Sequence, residues 1–287
     1  MYQKFFEVNY SAELGNVPEA KSRWWYYDNL NEIEEIVPVV FFKNNVFLKS
    51  TKEELDLLAD NVNFLIEKYI ESREFKVSEF QMDCDWTLSS RDNYFYFLNK
   101  IKELTKKKIS CTLRLYPYKY SEKMGVPPVD KVSLMCYNLM NPLENPQKNS
   151  ILDLPELKSY LEGVKKYPIH MDIALPVYSW AQVYHNQQFS LLLYTDINEL
   201  WGILKEERPL WYSVLKDTVI NNTYLREGDE LKLEEIDAER VNNAISILKH
   251  YIDFDKDVCV SLFHLDEVQL RNYTNEEINS FYTAFSE

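Results

Sequence analysis

Short apolar runs recur along the chain between longer segments whose apolar residues return every three or four positions. The short runs read as buried strands and the longer segments as amphipathic helices, so their alternation predicts strand-helix units around a parallel sheet. Seven strands follow: Lys4 to Val8, Ile36 to Phe42, Val77 to Asp85, Ile109 to Tyr116, Val132 to Asn138, His170 to Val177 and Val258 to Phe263. Thr51-Lys52-Glu53-Glu54 is a capping box that opens one helix. Other helices are expected over Ser90 to Lys106, Leu154 to Lys166, Ile197 to Glu206, Ile236 to Ile252 and Asn275 to Phe285. Residues 188–233 contain strand-rich pieces, Leu210 to Leu215 and Glu230 to Leu233 among them, and read as a small β-rich insertion before the last strand. Its tip, Arg226-Glu227-Gly228-Asp229, has hairpin chemistry.

The pattern is of α/β class, a (β/α)8-type TIM barrel formed by residues 1–287 as a single domain. Such a barrel closes with eight strands, one more than the pattern supplies. The simplest account is that the first strand-helix unit precedes Met1; a strand from the insertion or an open barrel are the alternatives.

Composition narrows the partners. The chain has 46 acidic and 32 basic residues and a formal charge of -14, which repels phosphate backbones and anionic headgroups. Nucleic acid is therefore not an expected partner. Membrane insertion is not expected either, because no run approaches the roughly 20 apolar residues a spanning helix needs. Met1-Tyr2-Gln3-Lys4 is not a signal peptide, so the chain is cytoplasmic, or exported to the periplasm or cell surface if a targeting segment has been trimmed. Cys84, Cys111, Cys136 and Cys259 lack Cys-x-x-Cys spacing and are expected as buried reduced thiols. His170, His185, His250 and His264 lack metal-site spacing, and no phosphate loop, dinucleotide fingerprint or nucleophile elbow occurs, so no metal or cofactor is expected.

Strand parity then points to a site. Gln81, Asp83 and Asp85 share one face of their strand, while Met82, Cys84 and Trp86 share the other. The polar face looks into the barrel and the apolar one meets the helices. On the next strand Thr112, Arg114 and Tyr116 face inward, and on the one after it Ser133, Met135 and Tyr137 do so. Asp83, Asp85, Arg114, Tyr116 and Tyr137 thus reach the carboxyl-terminal mouth, where such barrels keep their sites. Buried carboxylates need partners, and Arg114 is the obvious one.

The sequence here resembles the chitinase-like barrels of glycoside hydrolase family 18. That family carries Asp-Gly-x-Asp-x-Asp-x-Glu on its fourth strand and Met-x-Tyr-Asp or Asn on its sixth. Phe80-Gln81-Met82-Asp83-Cys84-Asp85-Trp86-Thr87 matches the second and third Asp, with a Trp before the last position. Met135-Cys136-Tyr137-Asn138 matches the later motif two strands on. Together with Arg114 and Gly125-Val126-Pro127-Pro128-Val129-Asp130, these stretches look like a bacterial group of barrel proteins related to those hydrolases.

The resemblance implies a carbohydrate-active or glycan-binding protein whose partner carries an N-acetylated sugar. In the family the final Glu protonates the glycosidic oxygen, the Asp before it orients the acetamido group, and the Tyr supports it. Asp85 and Tyr137 inherit those last two roles. Thr87 stands where the Glu belongs, and a hydroxyl cannot protonate a leaving group as a carboxylic acid does.

Glu7, inward by parity with Phe5 and Asn9, is the best substitute acid. Asp266 and Glu267 follow the last strand, and Asp172 belongs to the stable bottom of the barrel. Trp24-Trp25-Tyr26-Tyr27, Trp86 and Trp180 are candidates for stacking on sugar rings. Gln81 and Asn138 offer polar contacts, and Lys119 and Lys123 in the loop 116–128 offer positive charge to an anionic glycan. Whether the barrel is an enzyme stays open: a hydrolase using Glu7 and a non-catalytic barrel that binds a glycan or a protein are both compatible with Thr87.

Overall fold

The computed structural model describes residues 1–21, 33–73, 75–255 and 257–285. It divides into two compact units, the first comprising Met1–Leu134 and Tyr167–Asp172, the second Met135–Lys166 and Ile173–Glu287.

The first unit opens with β1 (Tyr2–Ser11), β2 (Gly15–Glu19) and β3 (Val37–Phe42), followed by α1 (Asn45–Lys49) and α2 (Lys52–Arg73). It continues through β4 (Glu79–Cys84), α3 (Arg91–Thr105), β5 (Lys108–Arg114), α4 (Leu115–Lys119), α5 (Ser121–Met124) and β6 (Lys131–Met135). Of the rest, α6 (Leu154–Leu161) lies in the second unit, and β7 (His170–Pro176) begins in the first and ends in the second. An eight-stranded sheet has the order β15-β7-β6-β5-β4-β3-β1-β2, where β15 is Val260–Phe263. All seven strands read from the sequence are present in it. The eighth is β2, which runs antiparallel to β1, whereas β1, β3, β4 and β5 are parallel neighbours. The strand order and the strand-helix alternation make this a mixed α/β fold of the TIM-barrel type.

Side-chain alternation explains why these segments pair as they do. Val40, Phe42, Met82, Cys84, Cys111 and Leu113 are buried on one face, and Phe42 meets Phe97 of α3 with ring centroids 5.0 Å apart. The capping box forms as read, with Glu54 accepting from the Thr51 amide at 2.7 Å and Thr51 Oγ1 accepting from the Glu54 amide at 3.3 Å. One parity expectation fails. A register shift between Lys4 and Phe6 turns Phe5 outward, against Tyr69 of α2 at 5.3 Å, instead of inward beside Glu7.

The second unit adds β8 (Trp180–His185), β9 (Gln188–Leu193), β10 (Leu204–Arg208), β11 (Trp211–Val214), β12 (Thr218–Ile220), β13 (Thr223–Leu225) and β14 (Glu230–Glu234). It ends with α7 (Ala238–Tyr251), β15, α8 (Glu267–Leu270) and α9 (Asn275–Thr283). An antiparallel sheet of order β10-β11-β14-β8-β9 packs Ala181, Val183, Leu193, Leu200, Leu231 and Leu233 into its own core.

Three expectations are corrected here. Ile197 to Glu206 is not a helix: a 3-10 turn over Ile197–Glu199 is followed by β10. The spacing of Ile197, Leu200 and Ile203 is satisfied instead by that turn and the residues after it, which bury all three in the small sheet's core. Arg226 to Asp229 turns the chain from β13 to β14, but these two do not pair, so it is a tight turn with Gly228 at φ +85° and not a hairpin tip. Cys259 is exposed just ahead of β15, while Cys84, Cys111 and Cys136 are buried and form no disulfide.

Candidate functional site

Parallel pairing sets functional side chains level with one another. In the first unit Glu7 is in register with Phe41, and Phe41 with Asp83, so these three share one level and one face. Thr112 on β5 donates its hydroxyl to Asp83 Oδ1 at 2.5 Å. Burial pushes the Asp83 carboxyl up to about 6; the neighbouring Asp85 charge adds to this, while the Thr112 bond and the charges of Arg114 and Lys4 pull the other way. Lys4 also donates to Glu7 at 2.6 Å. Asp83, Glu7, Lys4 and Thr112 therefore form one cluster on one face of the sheet.

Beyond it, at the carboxyl end of β4, lies Asp85. Arg114 donates one guanidinium nitrogen to both Asp85 oxygens, at 3.1 Å each. The Asp85 side chain is 51% exposed and that of Arg114 36%. The expected partnership is present, but in the open. Exposed ion pairs contribute only about 0–1 kcal/mol, so stability alone gives little reason for it.

The first unit keeps its closed ionic network at the other end of the same strands. Lys131 Nζ lies 2.9 Å from Glu79 Oε2 and 2.9 Å from Asp172 Oδ2, and donates to the Tyr2 hydroxyl at 2.9 Å. Ser110 donates to Glu79 at 2.5 Å. Glu79 and Asp172 are buried, which gives Asp172 the structural place expected of it. Gln81 is buried between the two ends and reaches Ser110 at 3.5 Å.

Thr87 is engaged in starting a helix. Its amide donates to Ser90 Oγ at 2.9 Å, its hydroxyl is 3.3 Å from the same atom, and its carbonyl accepts from the amides of Ser90 and Arg91. Trp86 is only 5% exposed and packs edge-on against Phe95 at 5.2 Å, so an incoming sugar would meet little of its face. Tyr116 is exposed, although it lies in α4 and not in the strand: β5 ends at Arg114 and the helix starts with the next residue. Lys123 and Tyr120 are exposed in the same segment. Trp24-Trp25-Tyr26-Tyr27 lies outside the described residues.

In the second unit Tyr137 is buried and stacks on Phe263 at 4.6 Å with an interplanar angle of 6°. Asn138, at φ +51°, accepts from the Tyr178 hydroxyl at 2.6 Å. Phe263 itself is exposed at the end of β15. The sequence alone does not single it out, because an apolar residue closing an apolar strand carries no signal of a surface role. Trp180 is 6% exposed and donates its indole N–H to Glu234, which also pairs with the fully buried Lys232. Asp266 caps α8 through the Gln269 amide at 3.0 Å, and Glu267 pairs with Arg271.

Among the described residues no group of three His, Cys, Asp or Glu side chains is placed to hold a metal ion. No helix among them is long and apolar enough to cross a membrane.

No family model and no curated protein matches the chain. Solved structures do. The spore cortex-lytic enzyme SleL of Bacillus cereus is similar at a TM-score of 0.54 and 13% identity, over 95% of this chain and 67% of that one. The chitinase-like agglutinin RobpsCRA of Robinia pseudoacacia is similar at a TM-score of 0.57 and 10% identity, over 100% of this chain and 92% of that one. The order of the eight strands and these likenesses agree that the chain has the chitinase-like fold.

Proposed function

We propose that the chain binds a glycan carrying an N-acetylated sugar at the carboxyl ends of its parallel strands, and does not cleave it. The observation that carries this reading is the open Asp85–Arg114 pair standing beside a position where Thr87 takes the place of an acid. A carboxylate accepts the N–H of an acetamido group, and a guanidinium donates to its carbonyl or to ring hydroxyls. Tyr116 is a contact candidate on the same unit. Trp86 and Gln81, on the same unit, are further candidates whose burial suits shaping or supporting roles. Fold-level similarity to an agglutinin and to a lytic enzyme supports a carbohydrate ligand without choosing between binding and cleavage.

Hydrolysis is the second reading, and the level register of Glu7 with Asp83 favours it. Glu7 would donate the proton and Asp85 would hold the acetamido group. For that Glu7 would have to leave its ion pair with Lys4. Incubating the protein with chitin-type and peptidoglycan-type oligosaccharides, with retention on the immobilised glycans measured in parallel, separates the readings. Retention without new reducing ends is the expected result. Reducing ends produced by the wild type and lost in Glu7→Gln would establish hydrolysis, and retention on neither glycan would overturn the proposal.

A further inference from the structure

The five-residue helix α4 turns one face inward and another outward. Leu115, Pro117 and Tyr118 are buried, Tyr118 against Tyr167 at 5.7 Å, while Tyr116 and Tyr120 are 44% and 42% exposed. Four residues apart, the two tyrosines fall on the same side of a helical turn, closed by the Tyr120 amide donating to the Tyr116 carbonyl at 3.0 Å. Their ring centroids are 4.7 Å apart at an angle of 52°. They form a shallow V of aromatic surface.

This surface is held firmly from both sides. Ahead of it, α4 begins on the residue after Arg114, whose side chain pairs with Asp85. Behind it, Met124 of α5 is buried, Arg91 donates to the Lys123 carbonyl at 3.2 Å, and Gly125 sits at φ +81° where a Cβ would come within 3.0 Å of Phe95. The backbone that carries the rings is thus anchored, so a ligand stacking on them would have only the side chains to order.

We infer that Tyr116 and Tyr120 form a stacking platform for an additional sugar unit of a glycan whose acetamido group lies at Asp85 and Arg114, so that the site selects an oligosaccharide over a disaccharide. The inference rests on the glycan-binding reading above and adds chain-length selectivity to it. Two peptide units separate Tyr116 from Arg114, which keeps their Cα atoms within about 7.6 Å. The platform is thereby continuous with the ion pair. A tyrosine face suits the apolar face of a sugar ring, and its hydroxyl can bond to ring hydroxyls. Two rings are far too small for a protein partner, which needs roughly 800 Å² on each side. Tyr120 Oη and Lys119, whose Nζ stands 5.7 Å from the Tyr120 ring centroid, border the platform with hydrogen-bonding groups.

The test is calorimetric titration with the β-1,4-linked hexamer and dimer of N-acetylglucosamine, on wild type, Tyr116→Ala, Tyr120→Ala and Tyr120→Phe. Both alanine changes remove exposed side chains and leave the buried anchors of α4 intact; circular dichroism checks that the fold persists. Wild type should bind the hexamer more tightly than the dimer. Each alanine variant should bind the hexamer roughly ten-fold more weakly, Tyr120→Ala with the dimer unchanged, and Tyr120→Phe should stay near wild type. Hexamer binding that survives both alanine changes overturns the platform while leaving glycan binding standing. Equal weakening for dimer and hexamer overturns the chain-length selectivity. If wild type binds neither sugar, the function reading fails and the platform with it.

Discussion

Thr112 donates its hydroxyl to Asp83 at 2.5 Å, yet burial still holds the Asp83 carboxyl at about 6 instead of its ordinary 3.8. The folded state therefore binds this proton more tightly than the unfolded one. Stability falls as pH rises from 3.8 through about 6, and above that the ionised Asp83 opposes folding. An Asn at this position can still accept from Thr112 and carries no charge. Asp83→Asn should raise stability on the order of 1–3 kcal/mol at pH 8 and by nothing below pH 4. Urea denaturation of both proteins across that range measures it, and a gain that persists at pH 4 would contradict the assignment.

Lys131 neutralises two buried carboxylates, Glu79 and Asp172, and also meets the Tyr2 hydroxyl. Lys131→Met should lower stability by about 3–5 kcal/mol, because it leaves buried charge unpaired. Adding Glu79→Gln should recover part of the loss. Denaturant midpoints of the single and double variants check both statements.

Trp180 separates a packing role from a ligand role. Its indole N–H serves Glu234 inside the second unit, beside Lys232. Trp180→Phe keeps an aromatic ring but removes that donor, and should cost about 1–3 kcal/mol of stability with glycan affinity unchanged. A variant of wild-type stability that no longer binds glycan would assign Trp180 to the ligand instead.

Glu placed at position 87 supplies the acid that Thr87 replaces, but it also removes the hydroxyl beside Ser90 at the start of α3. Thr87→Glu should therefore lose about 1 kcal/mol through the weakened helix start. If the bound glycan is seated as proposed, the variant should also release reducing ends that wild type does not. Thermal melts and a reducing-end assay measure the two effects separately.

The sequence makes the parallel strands legible because residues buried on one face alternate with polar ones, and that same alternation carries Asp83, Asp85 and Arg114 to their places. Segment β2 escapes such reading: Gly15-Asn16-Val17-Pro18-Glu19 holds a Gly and a Pro, lies at a sheet edge, and has no buried side of its own. A bulge likewise defeats parity at Phe5, since one extra residue shifts every side chain before it. At Ile197, Leu200 and Ile203 the apolar spacing fits a helix and a 3-10 turn equally, and only the core of the small sheet decides between them. The Asp85–Arg114 pair follows from parity, but its exposure does not, because exposure depends on where β5 stops and α4 begins. Tyr120 and Phe263 carry no local signal, as an aromatic residue reads as core until its neighbours are known.

Calorimetric titration of the N-acetylglucosamine hexamer into wild type and Asp85→Asn tests the central claim most directly. Asp85→Asn keeps the size of the side chain but removes the charge that faces Arg114, in an exposed pair that contributes little to folding. The account predicts measurable binding by wild type and a loss of roughly ten-fold or more in the variant at unchanged stability, as expected when a charge-assisted hydrogen bond to the ligand is replaced by a neutral one. Equal affinity of the two proteins would contradict it.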